Sequence, residues 1–172
     1  MHLGVFVQAA GHHVSGWRLP GAEAGAENLD LLQRIAKTAE RGLFDIFFLA
    51  DGLTSGTDAH PSTVVRFEPL TLLAALAMTT SHIGLAATAS TTYGEPYQTA
   101  RVFASLDHLS GGRAAWNVVT TSYARSAANF TRGSHPEHDA RYEIAEEFVD
   151  ICKGLWDSWG DGAIRMDKES GV

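Results

Sequence analysis

Residues 83–119, IGLAATASTTYGEPYQTARVFASLDHLSGGRAAWNVV, hold one complete folding unit in linear form. A short run of apolar and small residues (83–89) leads into the hydroxyl cluster Ser90, Thr91 and Thr92. Helical periodicity begins at Pro96, whose missing N–H costs nothing at a first helical position. Ala100, Phe103 and Leu106 then fall on one face, and Gly111-Gly112 supply the stop after Leu109. A further β-type run, 113–119, follows directly. Strand, helix, strand is the signature of two parallel strands joined by a crossover, which a tight hairpin turn cannot provide.

The same unit repeats upstream and downstream. Residues 3–8 (LGVFVQ) and 44–49 (FDIFFL) read as strands, the second nearly continuous apolar, as in a strand covered on both faces. Strand starts fall about 30–40 residues apart, leaving room for a crossover helix each time. Asn28 caps the first helix, whose Leu29, Leu32, Ile35, Ala36 and Ala39 share a face. Glu27 and Asp30 sit at its positive end, Lys37 and Arg41 at its negative end, and Gly42 stops it. Pro69 opens a helix over 69–80 that buries Leu72, Leu73 and Leu76. The last helix, 139–159, presents Tyr142, Ala145, Phe148, Cys152, Leu155 and Trp156 at helical spacing, and a polar tail follows. The order β-α-β-α-β-α-β-α fits two architectures: an open doubly wound sheet, or the first half of an eight-stranded barrel.

Composition narrows the function. A net charge of -7 lacks the basic excess of a nucleic-acid binder. No apolar run reaches the roughly 18 residues of a membrane span, and no basic, apolar, small-residue leader opens the chain. One cysteine, Cys152, rules out an internal disulfide framework and predicts a reducing, cytoplasmic setting. The sequence has no GxGxxG, no P-loop and no GxSxG elbow, which disfavours dinucleotide-binding, P-loop and α/β-hydrolase chemistry. His135 and His138 make a weak metal pair, without CxxC or HExxH, so no metal is expected.

In either architecture, ligands bind at the carboxyl ends of the strands. The loops there are rich in His12, His13, Trp17, Asp51, Thr88, Ser90, Thr91, Thr92, Asn117, Thr120, Thr121 and Ser122, with His135, His138 and Tyr142 near the start of the last helix. Much of this is ordinary turn chemistry: Asp51 next to Gly52 suits a backbone bond, and the hydroxyls suit caps. Trp116, Trp156 and Trp159 read as core or interface aromatics. Asn117 is the least ordinary, because an amide inside a strand must find partners. Read from its residues alone, the chain is an α/β protein whose strand mouths suit a polar ligand, a phosphate-bearing one included.

Five segments in order resemble one family: 3–21 (LGVFVQAAGHHVSGWRLPG), 44–51 (FDIFFLAD), 97–113 (YQTARVFASLDHLSGGR), 116–122 (WNVVTTS) and 138–148 (HDARYEIAEEF). They look like the bacterial-luciferase-like flavin monooxygenases, nearest the nitrilotriacetate and dibenzothiophene-sulfone branch. The resemblance implies a TIM-type barrel, reduced FMN delivered by a separate flavin reductase, and activation of O2 on that flavin. It implies a cofactor site at Asp51, Thr88, Ser90 and Asn117, with His138 and Tyr142 towards the ribityl phosphate. It also implies His12 as the catalytic candidate and Trp17 at the substrate mouth. Family members run to more than twice this length, so residues 1–172 are expected to be a partial barrel domain of four βα units, lacking the C-terminal half. Four strands cannot close such a barrel. The expectation is therefore a monooxygenase half, inactive by itself, that attacks a C–N or C–S bond of a small organic substrate once completed by another copy or another polypeptide. The alternative is a non-catalytic flavin-binding or assembly subunit completed by a second chain.

Overall fold

The computed structural model describes residues 1–8, 11–23, 27–55, 64–131 and 133–171. Strands β1 (Gly4–Phe6), β2 (Ile46–Leu49), β3 (Gly84–Ser90) and β4 (Ala114–Val119) form one parallel sheet in the order β1-β2-β3-β4. Helices α1 (Leu29–Arg41), α2 (Pro69–Ala77) and α3 (Pro96–Ser110) connect the strands, and α4 (His138–Trp156) follows β4. That order decides between the two architectures. A doubly wound sheet reverses its strand order at a switch point, whereas a barrel adds each strand beside the last. The arrangement is four βα units of a TIM-type barrel.

The register shows why the helices lie on one side. Val5, Phe47, Leu85 and Ala114 form one row across the sheet; Phe47 and Leu85 belong to the core built with Leu32, Ala36, Leu72, Leu73, Leu76, Phe103 and Leu106 from α1, α2 and α3, and half-buried Val5 and Ala114 pack against it. The next row, Phe6, Phe48, Ala86 and Ala115, lies outside that core, on the face a closed barrel turns inward, and Phe6 is 42% exposed. A smaller cluster of Ala100, Phe148 and Cys152 ties α4 to α3, with Trp116 packed against both clusters. Trp116 also donates from Nε1 to the Ala89 carbonyl at 3.0 Å.

The terminating signals act largely as the sequence implies. Asn28 accepts a bond from the Leu31 N–H, and Pro69 and Pro96 open their helices. Gly111 takes the left-handed conformation (φ 70°) that closes α3. Some details differ, and α2 ends at Ala77 instead of residue 80. Gly42 ends α1 at an ordinary φ of -78°, and the positive φ falls on Leu43. Helix α4 stops at Trp156, leaving Trp159 67% exposed beyond it. Tyr142, set at helical spacing with Ala145, Phe148 and Cys152, is 57% exposed, because the inward stripe of α4 runs through Arg141, Ala145, Phe148 and Cys152 instead.

At the amino end of the sheet each strand start is clasped. Asp45 accepts the Leu3 N–H at 2.6 Å, just before β1. Glu40 accepts the N–H groups of Ser81, His82 and Ile83 before β3. Arg113, just before β4, donates to Ser110, Ile83, Ala77 and Thr80 carbonyls and to the Thr80 hydroxyl. This side holds the sheet together and frees the other for binding.

Candidate active site

The loops after β2, β3 and β4, with Tyr142 of α4, line a cleft of about 560 Å3 at the carboxyl end of the sheet. Asp51, Thr88, Ser90 and Tyr142 all line it, together with Thr120, Thr121 and Ser122. Asn117 stands one bond behind the wall. Its amide donates to Thr88 Oγ1 at 2.9 Å, and Thr88 in turn donates to the Leu49 carbonyl at 2.9 Å. The half-buried amide thus finds its partner in a three-strand relay, which fixes the Thr88 hydroxyl at the cleft floor.

A second hydroxyl network surrounds Ser90. Its Oγ accepts the Thr92 N–H at 3.2 Å and the Thr121 hydroxyl at 2.6 Å. Thr121 has φ 45°, a costly conformation for a β-branched residue, held by that bond. Gly94 closes the loop against the sheet: a Cβ there would lie 2.6 Å from the Ser90 carbonyl oxygen, so only glycine fits.

Asp51 is the charged centre of the cleft. Its Oδ1 accepts the Gly52 N–H at 2.7 Å and lies 3.9 Å from Arg66 Nε. Burial pushes its pKa above the usual aspartate value, with Glu68 adding to the rise, while the Gly52 N–H and Arg66 oppose it. A carboxyl so placed binds a hydrogen-bond donor readily, because that contact offsets its lost hydration.

His12, Trp17 and His138 stand apart from the cleft lining. His12 Nε2 bonds the Phe6 carbonyl at 3.0 Å and its ring packs edge-on against Phe6, beyond the end of β1. Trp17 lies in the 3-10 turn Gly16–Arg18. His138 is the first residue of α4, bonds Asp139 at 2.8 Å, and packs its ring 4.9 Å from that of Tyr142. His135 and His138 turn to different partners: His135 bonds the Tyr93 hydroxyl at 2.7 Å. No cluster suited to a metal occurs among the described residues.

Several lining residues escaped the sequence reading. Tyr93 and Phe130 stack at 4.6 Å with an interplanar angle of 11°, and Tyr123, Gly52 and Glu68 complete the wall. The signal for Tyr93 was its place directly after the hydroxyl run, where the loop must turn back over the cleft.

The luciferase-like monooxygenase family profile matches residues 1–168. The chain belongs to that family. N-acetyl-S-(2-succino)cysteine monooxygenase of Bacillus subtilis (strain 168) is 58% identical over 170 residues, covering 98% of this chain and 38% of that protein. Component A of nitrilotriacetate monooxygenase from Aminobacter aminovorans is 47% identical over 184 residues, 99% of this chain and 41% of that protein. Among solved structures, EDTA monooxygenase from Chelativorans sp. BNC1 superposes with a TM-score of 0.88 at 36% identity, covering 98% of this chain and 42% of that one. A riboflavin lyase, solved with modified FMN and substrate riboflavin, gives 0.85 at 34% identity, covering 98% and 40%. The chain therefore spans about two-fifths of the length of the relatives it matches. No helix among the described residues is long and apolar enough to cross a membrane.

Proposed function

We propose that this chain provides the first four βα units of a two-component, FMN-dependent monooxygenase. The observation that carries the reading is the cleft at the carboxyl ends of β2, β3 and β4, in a chain whose family is that of the luciferase-like monooxygenases. Its volume of about 560 Å3 lies within the roughly 300–1,000 Å3 typical of cofactor and small-molecule sites.

The donor set fits a flavin. A flat heteroaromatic ring needs an apolar wall and a polar edge. Ala89, Val118 and Val119 supply the first, and Asp51, Thr88 and Ser90 the second. Tyr142 and the first turn of α4, where N–H groups favour a dianion, would take the phosphate, with His138 beside Tyr142. Bound there, reduced FMN from a separate reductase supplies the electrons for activating O2. The chain's own work is to fix the ring edge through Asp51, hold the Thr88 hydroxyl in place through Asn117, and keep water out of the cleft. His12 is assigned the proton transfer at the substrate mouth, and Trp17 the contact with substrate.

The relatives guide the substrate class. Nitrilotriacetate, EDTA and N-acetyl-S-(2-succino)cysteine all carry carboxylates on carbons attached to nitrogen or sulfur. A substrate of that kind, oxygenated at the carbon beside the heteroatom, collapses to a free amine or thiol and a carbonyl compound. The second oxygen atom leaves as water. The setting proposed is cytoplasmic.

The sheet favours completion by further polypeptide, in the same chain or another copy. Among the described strands, β1 pairs only with β2 and β4 only with β3, so both edges are open. The 172-residue chain alone is expected to show negligible turnover and to associate; light scattering showing a stable 18.5 kDa monomer would argue against the half-barrel reading. Intact mass measured in the native host establishes the native length. At that length, anaerobic titration should show saturable binding of reduced FMN, with oxygen uptake on adding an amine or thioether polycarboxylate. Absence of FMN binding overturns the proposal.

A further inference from the structure

A hydrogen-bond chain, Arg141 to His135 to Tyr93, runs beside the cleft. Arg141, in the first turn of α4, is 9% exposed, and among the described residues no carboxylate pairs with it. Its Nη1 donates to His135 Nε2, and its buried Nε has no partner among the described residues. On the other side of the ring, His135 Nδ1 lies 2.7 Å from the Tyr93 hydroxyl. Tyr93 is itself buried, stacked on Phe130, and lines the cleft.

The polarity of this chain follows from donor and acceptor capacity. A guanidinium only donates, so Nε2 of His135 must accept. The single proton of the neutral imidazole then sits on Nδ1 and is donated to the Tyr93 oxygen. With that oxygen already accepting from His135, the phenol's own O–H has no acceptor among the described residues. Tyr93 lines the cleft, where a ligand can supply that acceptor.

We propose that Tyr93 donates a hydrogen bond to an oxygen of the ligand in the cleft, and that Arg141 is a positioning residue that sets this direction through the His135 tautomer. In the opposite tautomer Nδ1 would take the phenol proton, and Tyr93 would offer the cleft only lone pairs, which repel an oxygen. The inference rests on the FMN reading for the identity of the acceptor, a phosphate, ribityl or ring oxygen.

The test uses the protein at its native length. Long-range 1H–15N spectra of the His135 ring should show the proton on Nδ1. Flavin-fluorescence titration should show Tyr93→Phe weakening FMN about tenfold, the effect of one hydrogen bond in a buried site. Arg141→Met should move the ring proton to Nε2 and weaken FMN several-fold. The double variant should bind no more weakly than Tyr93→Phe alone. Riboflavin titrated in parallel separates the acceptors: a loss confined to FMN means the phosphate, an equal loss means the ring or ribityl chain. A wild-type Nε2–H tautomer, unchanged FMN binding by Tyr93→Phe, or additive losses in the double variant would each overturn the inference. Should Arg141→Met fail to fold, the wild-type tautomer and Tyr93→Phe still decide. Wild type that binds no FMN overturns the cofactor reading together with the donor role, whereas wild type that binds FMN as well as Tyr93→Phe does overturns the Tyr93 role alone.

Discussion

The two ends of the sheet are built from similar residue types and put them to opposite uses. At the amino end, charged side chains are spent on backbone: Asp45 on Leu3, Glu40 on the turn 81–83, and Arg113 on four carbonyls and a hydroxyl. At the carboxyl end Asp51 has one backbone N–H and a guanidinium at 3.9 Å, and burial raises its pKa. Thr121 carries a positive φ, and the two buried side-chain polar atoms without partners among the described residues, Ser126 Oγ and Arg141 Nε, both lie after β4. One end is saturated and the other holds unused bonding capacity. The fold stores stability at one end and keeps chemistry at the other, the division a (β/α)8 barrel makes between its bottom and top faces.

The largest expected effect is at Arg113. Its five donors are all used, on α2, the 80–83 turn and the end of α3. Arg113→Lys keeps the charge but loses the planar fork, leaving several carbonyls unpaired. Stability should fall by about 3–5 kcal/mol, read by urea unfolding, with FMN affinity of the folded fraction unchanged. A comparable loss of affinity would show that the two ends are not separate.

Glu40 comes next. Slight burial works against its ionisation, but the backbone N–H groups of His82, Ile83 and Ser81 outweigh it and hold the pKa below the ordinary glutamate value. A depressed carboxylate contributes stability above its unfolded pKa near 4.5 and loses it as pH falls through the folded value. Glu40→Gln should therefore cost about 1–2 kcal/mol at neutral pH and progressively less below pH 4.5. A loss that does not change with pH would place the effect in packing instead of charge.

How much of this was legible in advance follows the range of the interactions. Helix starts at Asn28, Pro69 and Pro96 and the stop at Gly111 are local signals, and they appear where the sequence puts them. The strands were legible as short apolar and small-residue runs, though their paired portions are shorter: only Gly4–Phe6 of the run 3–8 enters the ladder. Arg113 read as nothing more than the first residue of a strand, because its partners lie about thirty residues upstream and come together only through the βα crossover. Tyr93 and Arg141 were missed for the same reason, each needing His135 to join them. The strand-mouth hydroxyls were legible because chain order alone places them. Asn117 was flagged as needing a partner, but the identity of that partner, Thr88, is a matter of register.

Tyr142→Phe tests the carboxyl end with less disturbance. The ring is 57% exposed and lines the cleft beside His138, so removing its hydroxyl leaves no hole. Affinity for reduced FMN should drop by about 1–2 kcal/mol, one hydrogen bond to a charged group, while the unfolding midpoint stays put. Equal dissociation constants under nitrogen would remove Tyr142 from the site.

Asp51→Asn produces the smallest change and the most telling sign. A carboxyl whose folded pKa is raised binds a proton more tightly in the native state than in the unfolded one, so its ionised form opposes folding. That penalty is absent well below the ordinary aspartate value of 3.8 and grows as pH rises through the raised folded value. Asparagine keeps an oxygen for the Gly52 N–H and carries no charge to desolvate. The ligand-free variant should therefore melt slightly higher than wild type at neutral pH, with the gain vanishing in acid, while FMN binding weakens. At Glu40 the corresponding amide destabilises. Opposite signs for the same carboxyl-to-amide change at the two ends would establish that the amino end is built for stability and the carboxyl end for a ligand. A lower Tm for Asp51→Asn would instead make Asp51 a structural clasp bonded to Gly52 and Arg66, and the cleft would lose its charged ligand group.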